Sequence, residues 1–510
     1  MTLRRKLMST LIVAGTALAA SAALAQGGPT VRVGLAEDPD NLDPTLAGSF
    51  VGRIVLAAMC DKLFDIDENL NIIPQLATGY EWSNGNRTLT IRLRPNVVFH
   101  DGERFDADAV KFTLERHLTM QGSFRRGEIS TVTSVEVVDP LTVRLQLSSP
   151  FAPIMAHFAD RAGLMVSPRA ARAAGTEFGN RPVCAGPFRF VERVAQSRIV
   201  LERFPQYWNA SAIAVERVVY QPIPDSTVRL ANLQAGALEI IERVQPSDIA
   251  AIRRDSRLRV ESIAGVGYQG ITFNVGNGER ARAPIGADPR VREAFDLAID
   301  RETINQVVYN GEYATSGQAN SPVSPYHLRS LGTPARNLDR ARALLRETGL
   351  PVPVPVNLMV INSPDQRQQG EVIQAMAREA GFDVRLQATE FAASLQAGQR
   401  GDFEAYLIGW SGRIDPDANQ TSHIVTGAPF NWGHYSNAEV DRLMAEARTI
   451  AETDARRAIY ERILTIVRRD RPLIYLYHPK YQTAFTARLT GFRAMPDGII
   501  RWQGIRLAAN

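Results

Sequence analysis

Residues 88–117 constrain the fold of this chain more than any other stretch of the sequence. Apolar side chains alternate over residues 89–93, as expected of a strand that is buried on one face. Two turns, containing Pro95 and Gly102, follow, and Asp106 then stands as a helix N-cap before apolar residues at helical spacing. The segment therefore predicts a strand, a short turn region and a capped helix in close succession.

The first 25 residues have the pattern of an export signal. Three cationic residues (4–6) precede an apolar stretch over residues 11–24, which ends in an A-x-A cleavage pattern. The alternative is a membrane anchor, but the apolar stretch is shorter than the ~20 residues of a spanning helix. We therefore predict a signal peptide over residues 1–25 and a mature chain that starts at Gln26 and is located in the periplasm.

The charge of the chain argues against a nucleic-acid-binding function. The formal net charge of the 510 residues is +4, and the cationic residues of the predicted signal peptide account for most of it. The sequence contains no lysine and arginine run of the kind that follows a phosphate backbone. A mature chain of about 485 residues is longer than one hydrophobic core usually supports, so we expect two or more lobes.

Cys60 and Cys184 are the two cysteines of the sequence. An even number of cysteines in an exported chain favours a disulfide. The alternative is a pair of buried free thiols. We predict one disulfide that closes a loop of more than a hundred residues.

The pattern of predicted elements changes near Gly265. Before it, strands predominate, including strands around one helix over residues 82–147. After it, helices alternate with strands, and Asp288-Pro289 supplies an N-cap followed by proline at the first helical position. Such alternation is typical of an α/β lobe.

Several segments, in the correct order along the chain, resemble a known family. Together with residues 88–117, they resemble solute-binding protein family 5, the extracytoplasmic peptide-, nickel- and opine-type receptors of ABC importers. The further segments are NLDP (41–44), GPFRF (186–190), VREAFDLAIDRETI (291–304) and PLIYLY (472–477). The resemblance implies an α/β fold of two lobes, that of a type II, cluster C-like periplasmic binding protein.

The resemblance also implies a division of the chain. Lobe I is expected over residues 26–270 plus 486–510, with an extra subdomain inserted at about 66–170, and lobe II over residues 271–485. Two hinge crossings between the lobes are expected near residues 268–276 and 478–490.

The sequence contains no complete motif of a catalytic or cofactor site. The GxGxxG pattern at residues 265–270 continues into a strand pattern, whereas a dinucleotide site requires a helix there. No GxSxG elbow is present, and the seven histidines lack metal-ligand spacing. We predict no cofactor, no metal site and no catalytic residue, although nickel carriage remains an alternative within the family.

Residues 409–420, at the end of an apolar strand, are the most interesting candidate binding segment. Trp410 offers apolar area and a ring face. In peptide-binding members of the family, an aspartate three residues after this tryptophan pairs with the ligand's α-ammonium, and here that position resembles Arg413. We predict that Trp410 and Arg413 contact the ligand, Arg413 through an anionic group, or that Asp415 takes the amine role. The alternative is that Arg413 and Asp415 pair with each other.

Five further residues are predicted to contact the ligand. Ser49 and Phe50 match the family loop that lies against the ligand backbone. Tyr268 precedes a hinge crossing, Asn362 follows a predicted strand, and Trp432 is a candidate wall of the site. An ordinary packing role is the alternative for each.

The resemblance implies a protein that binds and delivers a solute without transforming it. The predicted partners are a small-molecule or peptide ligand and an inner-membrane ABC permease, the predicted state is a monomer, and no enzymatic activity is expected. The alternatives are a periplasmic hydrolase of peptides or glycosides, and a chaperone-like peptide binder.

Overall fold

The computed structural model describes residues 28–508, which are organised around two large β-sheets and a smaller sheet of four strands. The predicted signal peptide, residues 1–25, lies outside the described residues. Within residues 28–508, none of the helices has both the length and the apolar composition that crossing a membrane requires.

Up to residue 264, strands outnumber helices. The strands are β1 (Thr30–Leu35), β2 (Phe64–Ile66), β3 (Ile72–Pro74), β4 (Ala77–Ser83), β5 (Thr88–Leu93), β6 (Val132–Asp139), β7 (Thr142–Leu147), β8 (Phe188–Val194), β9 (Arg198–Arg203), β10 (Arg217–Pro222), β11 (Ile240–Ile241) and β12 (Leu258–Ala264). The helices are α1 (Phe50–Met59), α2 (Ala107–Thr119), α3 (Ile154–Phe158), α4 (Pro168–Ala174), α5 (Ser226–Gln234) and α6 (Ile249–Arg254).

Beyond residue 264, helices alternate with strands, as predicted. The strands are β13 (Tyr268–Phe273), β14 (Ala314–Thr315), β15 (Val354–Ile361), β16 (Phe382–Thr389), β17 (Ala405–Trp410), β18 (Leu473–His478), β19 (Lys480–Thr486), β20 (Leu489–Thr490) and β21 (Arg506–Leu507). The helices are α7 (Pro284–Ala287), α8 (Pro289–Ala298), α9 (Arg301–Tyr309), α10 (Leu338–Thr348), α11 (Pro364–Ala380), α12 (Phe391–Arg400), α13 (Pro416–Ile424), α14 (Ala438–Thr449) and α15 (Thr453–Asp470).

The two large sheets define two lobes. The first lobe is built on seven strands in the order β12-β19-β11-β1-β10-β9-β8, in which β1 runs parallel to β10 and β11. The second lobe is built on six strands in the order β14-β18-β13-β17-β15-β16, in which β15 runs parallel to β16 and β17. Parallel neighbours bring the carboxyl ends of these strands, and the loops that follow them, to one edge of each sheet.

The segment that opened the sequence analysis forms the predicted elements. Strand β5 belongs to the four-stranded sheet β4-β5-β7-β6, and α2 begins after Asp106, whose carboxylate accepts the Ala109 N–H at 3.1 Å. The apolar face of α2 packs with this sheet in a core of its own. This sheet falls inside the region predicted as an inserted subdomain.

The chain passes between the lobes at residues 265–267, between β12 and β13, and at Pro479, between β18 and β19. The first passage requires glycine at residues 265 and 267. A Cβ on Gly265 would lie 2.9 Å from the carbonyl oxygen of Pro479, and a Cβ on Gly267 would lie 2.3 Å from that of Trp410. The GxGxxG pattern therefore reflects close backbone approach.

Sheet membership moves the lobe boundaries from those predicted at residues 270 and 485. Strand β13 belongs to the second lobe from Tyr268 onward, and β19, which was assigned to the second lobe, pairs with β11 and β12 of the first. The sequence misleads here because β18 and β19 form an almost continuous strand pattern. The sheet to which a strand belongs depends on its pairing partners, which the local sequence pattern does not encode.

The predicted disulfide is present between Cys60 and Cys184, with Cα atoms 4.8 Å apart and 124 residues of sequence separation. Cys60 is the C-cap residue of α1. The bond therefore ties the end of α1 to the loop that precedes β8.

Candidate ligand-binding cavity

A cavity of about 460 Å³ lies between the two lobes. Its volume is within the range of small-molecule binding sites. The first lobe contributes residues 36–38 and 40, after β1, and residues 48–50, at the start of α1. The second lobe contributes residues 361–363, 365 and 366, at and after the end of β15, and residues 408–411, at the end of β17. Much of the lining therefore comes from the carboxyl ends of strands, where open α/β sheets present ligand groups.

One side of the cavity is an aromatic wall, formed by Phe124, Tyr268, Trp410, His423, Phe430 and Trp432. Phe124, from the first lobe, stacks on Phe430 of the second at a centroid distance of 4.8 Å. Trp410 meets His423 at 4.7 Å and Phe430 at 5.2 Å. Such a wall offers apolar area and ring faces to a bound molecule, and it spans both lobes.

His423 lies within this aromatic wall. Burial, with the added repulsion of the Arg413 charge, lowers the pKa of His423 to about 3. The ring is therefore neutral at pH 7, and its Nδ1 has no hydrogen-bond partner among the described residues. A neutral imidazole among aromatic rings offers a bound molecule one donor or acceptor without charge.

Another side of the cavity carries paired charges from the first lobe. Arg243 donates a hydrogen bond to Glu37, and its Nε lies 3.3 Å from a carboxylate oxygen of Glu242. Burial raises the pKa of Glu37, and the Arg243 charge opposes that rise. Oε2 of Glu37 is buried and has no hydrogen-bond partner among the described residues. An acceptor and a cation therefore stand side by side at the cavity.

Asp365 of the second lobe and Lys480, at the start of β19 in the first lobe, add a carboxylate and an amine to the lining. Asp365 lies in the first turn of α11, where the helix N-terminus favours its charge, and accepts the Ser363 hydroxyl at 2.7 Å. Lys480 lies 2.9 Å from Glu312, and both side chains are about 40% exposed. The first lobe thus presents both signs of charge to the cavity, and the second lobe adds the carboxylate of Asp365.

Six of the eight predicted contact residues line this cavity: Ser49, Phe50, Tyr268, Asn362, Trp410 and Trp432. Ser49 is the N-cap of α1, where its hydroxyl accepts the Gly52 N–H at 3.1 Å and donates to Asp40. Phe50 stacks on Tyr481 at 5.3 Å. Ser49 and Phe50 therefore have a structural role and also line the cavity.

Arg413 and Asp415 do not line the cavity, which corrects their predicted position. Arg413 is buried, pairs with Asp160 of the first lobe, and donates to the Gly412 carbonyl at 2.6 Å. Asp415 caps α13 and accepts two hydrogen bonds of 2.7 Å from Arg456. The alternative of a mutual pair is also wrong, because each residue has a partner elsewhere.

The physical reason is local in one case and tertiary in the other. Asp415 precedes Pro416 at the start of α13, and a carboxylate at that position is held by the helix N-terminus. Arg413 turns away from the cavity because Asp160, which is distant in sequence, offers a buried carboxylate on the first lobe.

Several lining residues were not predicted from the sequence, among them Glu37, Arg229, Arg243, Asp365 and Phe430. Glu37 lies in the acidic loop after β1, and its place after a parallel strand was a usable signal. Arg229 and Arg243 carried no local signal, because only the pairing of β1 with β10 and β11 brings them to the cavity.

Beside the cavity, the lobes touch each other through charged groups that we call the lobe junction: Arg53, His157 and Asp160 of the first lobe, and Arg413, Asp417 and Arg448 of the second. Nε of Arg53 donates to Asp160 at 3.0 Å, and Nε of Arg448 donates to Asp417 at 2.7 Å. Nε2 of His157 lies 3.5 Å from Asp417. The pairs that cross between the lobes are Arg413 with Asp160 and His157 with Asp417, so the lobe junction joins the lobes outside the cavity.

The two carboxylates of the lobe junction are strongly acidic. Burial by itself would raise the pKa of Asp160, but the charges of Arg413 and Arg53, followed by those of Arg161 and Arg125, hold it well below its usual range. Burial likewise opposes ionisation of Asp417, and Arg448 and His157 lower its pKa. Both groups are therefore charged at any pH above about 4.

Two α/β lobes joined by two chain passages, with a cavity between them lined by both, define the class of two-lobed binding proteins. Residues 71–432 match the family of bacterial extracellular solute-binding proteins, family 5 Middle. The chain belongs to this family. The glutathione-binding protein GsiB of Pectobacterium atrosepticum is 27% identical over 508 residues, which cover 97% of each chain.

Solved structures share the fold. AgaA from A.tumefacien R10, in complex with agropinic acid, superposes with a TM-score of 0.85 at 24% identity, covering 94% of this chain and 99% of that one. AppA from Bacillus subtilis, in complex with a nonapeptide, gives a TM-score of 0.86 at 23% identity, covering 95% and 100%. These likenesses support the predicted two-lobed fold class, and nothing in them supports the hydrolase alternative.

Proposed function

We propose that this protein is the periplasmic receptor of an ABC importer, which captures a small polar solute between its lobes and delivers it to an inner-membrane permease. The observation that carries the proposal is the cavity itself, because both lobes contribute its aromatic wall and its charges. A ligand that contacts both lobes stabilises the closed arrangement relative to an open one. Binding and closure are then one event.

The cargo that fits this cavity carries both an amine and an acidic group, as a short peptide or an amino-acid-like compound does. Glu37 and Asp365 offer carboxylates to an ammonium group, and Arg243 and Lys480 offer cations to a carboxylate. The aromatic wall offers packing area to a side chain. Relatives named for glutathione, a nonapeptide and agropinic acid fall within this chemistry.

The two passages between the lobes are the hinge in this proposal. Each passage is short, at residues 265–267 and at Pro479, so that few backbone angles absorb the motion. To shift the equilibrium from mostly open to mostly closed, the cargo must bind the closed form more tightly by about 5.5 kcal/mol. The lobe junction supplies contacts that form only on closure.

Native mass spectrometry of the protein as purified tests the proposal. We expect one intact small molecule per chain, and titration calorimetry with glutathione and with di- to pentapeptides then ranks the cargo classes. Small-angle scattering should show a smaller radius of gyration with cargo than without it. Conversion of the bound molecule into a product by the purified protein would contradict the receptor function, as would cargo binding without any change of shape.

A further inference from the structure

A buried arginine cluster lies next to the lobe junction, outside the cavity lining. Its members are Arg53, Arg125, Arg161 and Arg413, and we call them the arginine cluster. The exposed fractions of Arg125, Arg161 and Arg413 are 0%, 1% and 6%. None of the four residues lines the cavity. The cluster is thus a site apart from the one proposed for cargo.

Two of these guanidinium groups converge on the same acceptor. Nη2 of Arg125 and Nη1 of Arg161 both donate to the carbonyl oxygen of Ala47, at 3.3 Å and 2.9 Å. Two guanidinium groups that share one acceptor lie close together, and like charges that are close together repel strongly in a buried environment. Burial, followed by the charges of Arg125 and Arg413, lowers the pKa of Arg161 well below its usual range. The arrangement therefore requires negative charge nearby.

The described protein supplies only part of that negative charge. Asp160 lies against Arg53 and Arg413, and Glu128 accepts a 2.6 Å hydrogen bond from Arg125. Asp417, the other carboxylate of the lobe junction, is paired with Arg448. Four arginines thus face two carboxylates, which leaves an excess of two positive charges in a buried volume.

The N–H groups of the arginine cluster show where further negative charge belongs. Nε and Nη2 of Arg161, Nε of Arg125 and Nη2 of Arg413 are buried and have no hydrogen-bond partner among residues 28–508. A buried guanidinium N–H without an acceptor is costly, and an anion satisfies several such donors at once.

We propose that a small free monovalent anion of the halide class binds between Arg125, Arg161 and Arg413. The donors are all N–H groups of cations, which suits an anion that only accepts hydrogen bonds. Arg125 and Arg161 belong to the first lobe and Arg413 to the second, so the anion joins the lobes. It therefore stabilises the closed form whether or not cargo is present. This inference concerns a second site and does not depend on the identity of the cargo.

Thermal unfolding of cargo-free protein in sodium chloride or sodium bromide, compared with sodium gluconate at equal ionic strength, tests this site. We expect a saturable halide-specific rise in Tm of about 3 °C or more. Arg161→Gln should abolish that rise, whereas Arg87→Gln, at an exposed turn of the four-stranded sheet, should retain it. Equal Tm values in halide and gluconate would overturn the proposal.

Anomalous diffraction from wild-type crystals grown in sodium bromide gives a readout that needs no variant. We expect a bromide peak within hydrogen-bonding distance of Arg125, Arg161 and Arg413. Bromide peaks confined to the protein surface would overturn the proposal. So would loss of the internal peak on addition of saturating cargo, because the site would then hold an acidic group of the cargo. Neither failure would affect the receptor function, since cargo binding is measured separately.

Discussion

The cavity and the lobe junction both join the two lobes, and one loop supplies residues to both, but they use charge in opposite ways. Trp410 faces the cavity, whereas Arg413 and Asp417, within the next seven residues, face the lobe junction. Charges at the junction are mostly buried, and two pairs, Arg413 with Asp160 and His157 with Asp417, cross between the lobes. Charges at the cavity are in part exposed and in part without a partner, as at Lys480 and Glu37. The comparison separates residues that close the lobes from residues that recognise cargo.

The largest expected effect is on the lobe junction. Asp160→Ala removes the carboxylate that faces Arg53 and Arg413, and leaves the buried cations facing each other. We expect a loss of about 3–5 kcal/mol in the free energy of unfolding at pH 7, measured by urea denaturation. Asp339→Ala, at a fully exposed carboxylate, is the control and should change stability by less than about 0.5 kcal/mol. A loss at Asp160 as small as that of the control would refute the importance of the junction.

The next effect is on the cavity. Trp410→Ala removes the ring that packs on His423 and Phe430, and we expect cargo affinity to fall by about 2–3 kcal/mol in titration calorimetry. Tyr80→Ala, at a ring that is 44% exposed on the four-stranded sheet, should leave the affinity unchanged. Arg413→Ala should weaken binding less than Trp410→Ala does. The reverse order would show that Arg413 contributes more to cargo binding than the aromatic wall does, and would contradict the division between cavity and junction.

The pH dependence of stability should differ between the lobe junction and the passages between the lobes. Burial lowers the pKa of His478, beside Pro479, to about 4, whereas an unfolded histidine titrates near 6.5. The unfolded state therefore binds the proton first, and stability is lost as the pH falls from 6.5 towards 4. Asp160, whose pKa is depressed, contributes stability that is lost only below about 4.

Measurements of unfolding at pH 7 and pH 5 check this difference. The neutral variant His478→Gln should reduce the loss of stability between these pH values by about 2 kcal/mol. Asp160→Ala should cost the same at both pH values, because Asp160 stays charged throughout this window. A pH-dependent cost of Asp160→Ala would show that the junction titrates in mild acid.

The smallest effect is expected at the rim of the cavity. Lys480→Gln removes an exposed pair with Glu312, and exposed pairs contribute little. We expect a change of at most about 1 kcal/mol in the free energy of unfolding in low salt, which 0.5 M sodium chloride should suppress. A larger, salt-independent loss would mean that this pair behaves like the buried pairs of the junction.

Local pattern predicted the features that local physics controls. The alternation before Pro95 and the N-cap at Asp106 predicted β5 and α2, because strand periodicity and capping act within a few residues. The sequence also predicted that Trp410 reaches the binding site, because the end of an apolar strand pattern can be recognised from the sequence, and Trp410 lines the cavity. The pairing of Cys60 with Cys184 followed from there being two cysteines.

Tertiary contacts decided what local pattern did not. Nothing near Arg413 in the sequence shows that Asp160 lies opposite it, and nothing near Arg229 or Arg243 shows that the first sheet brings them to the cavity. The assignment of β19 failed for the same reason, because its partners β11 and β12 are more than two hundred residues away along the chain.

The sequence by itself determined the family, the alternation of elements, the disulfide and some of the loops that reach the cavity. Only the tertiary structure decided which charged side chains face the cavity and which face the opposite lobe. The physical reason is that periodicity, capping and turn chemistry act between neighbours, whereas a buried charge is positioned by whichever opposite charge the fold brings near it.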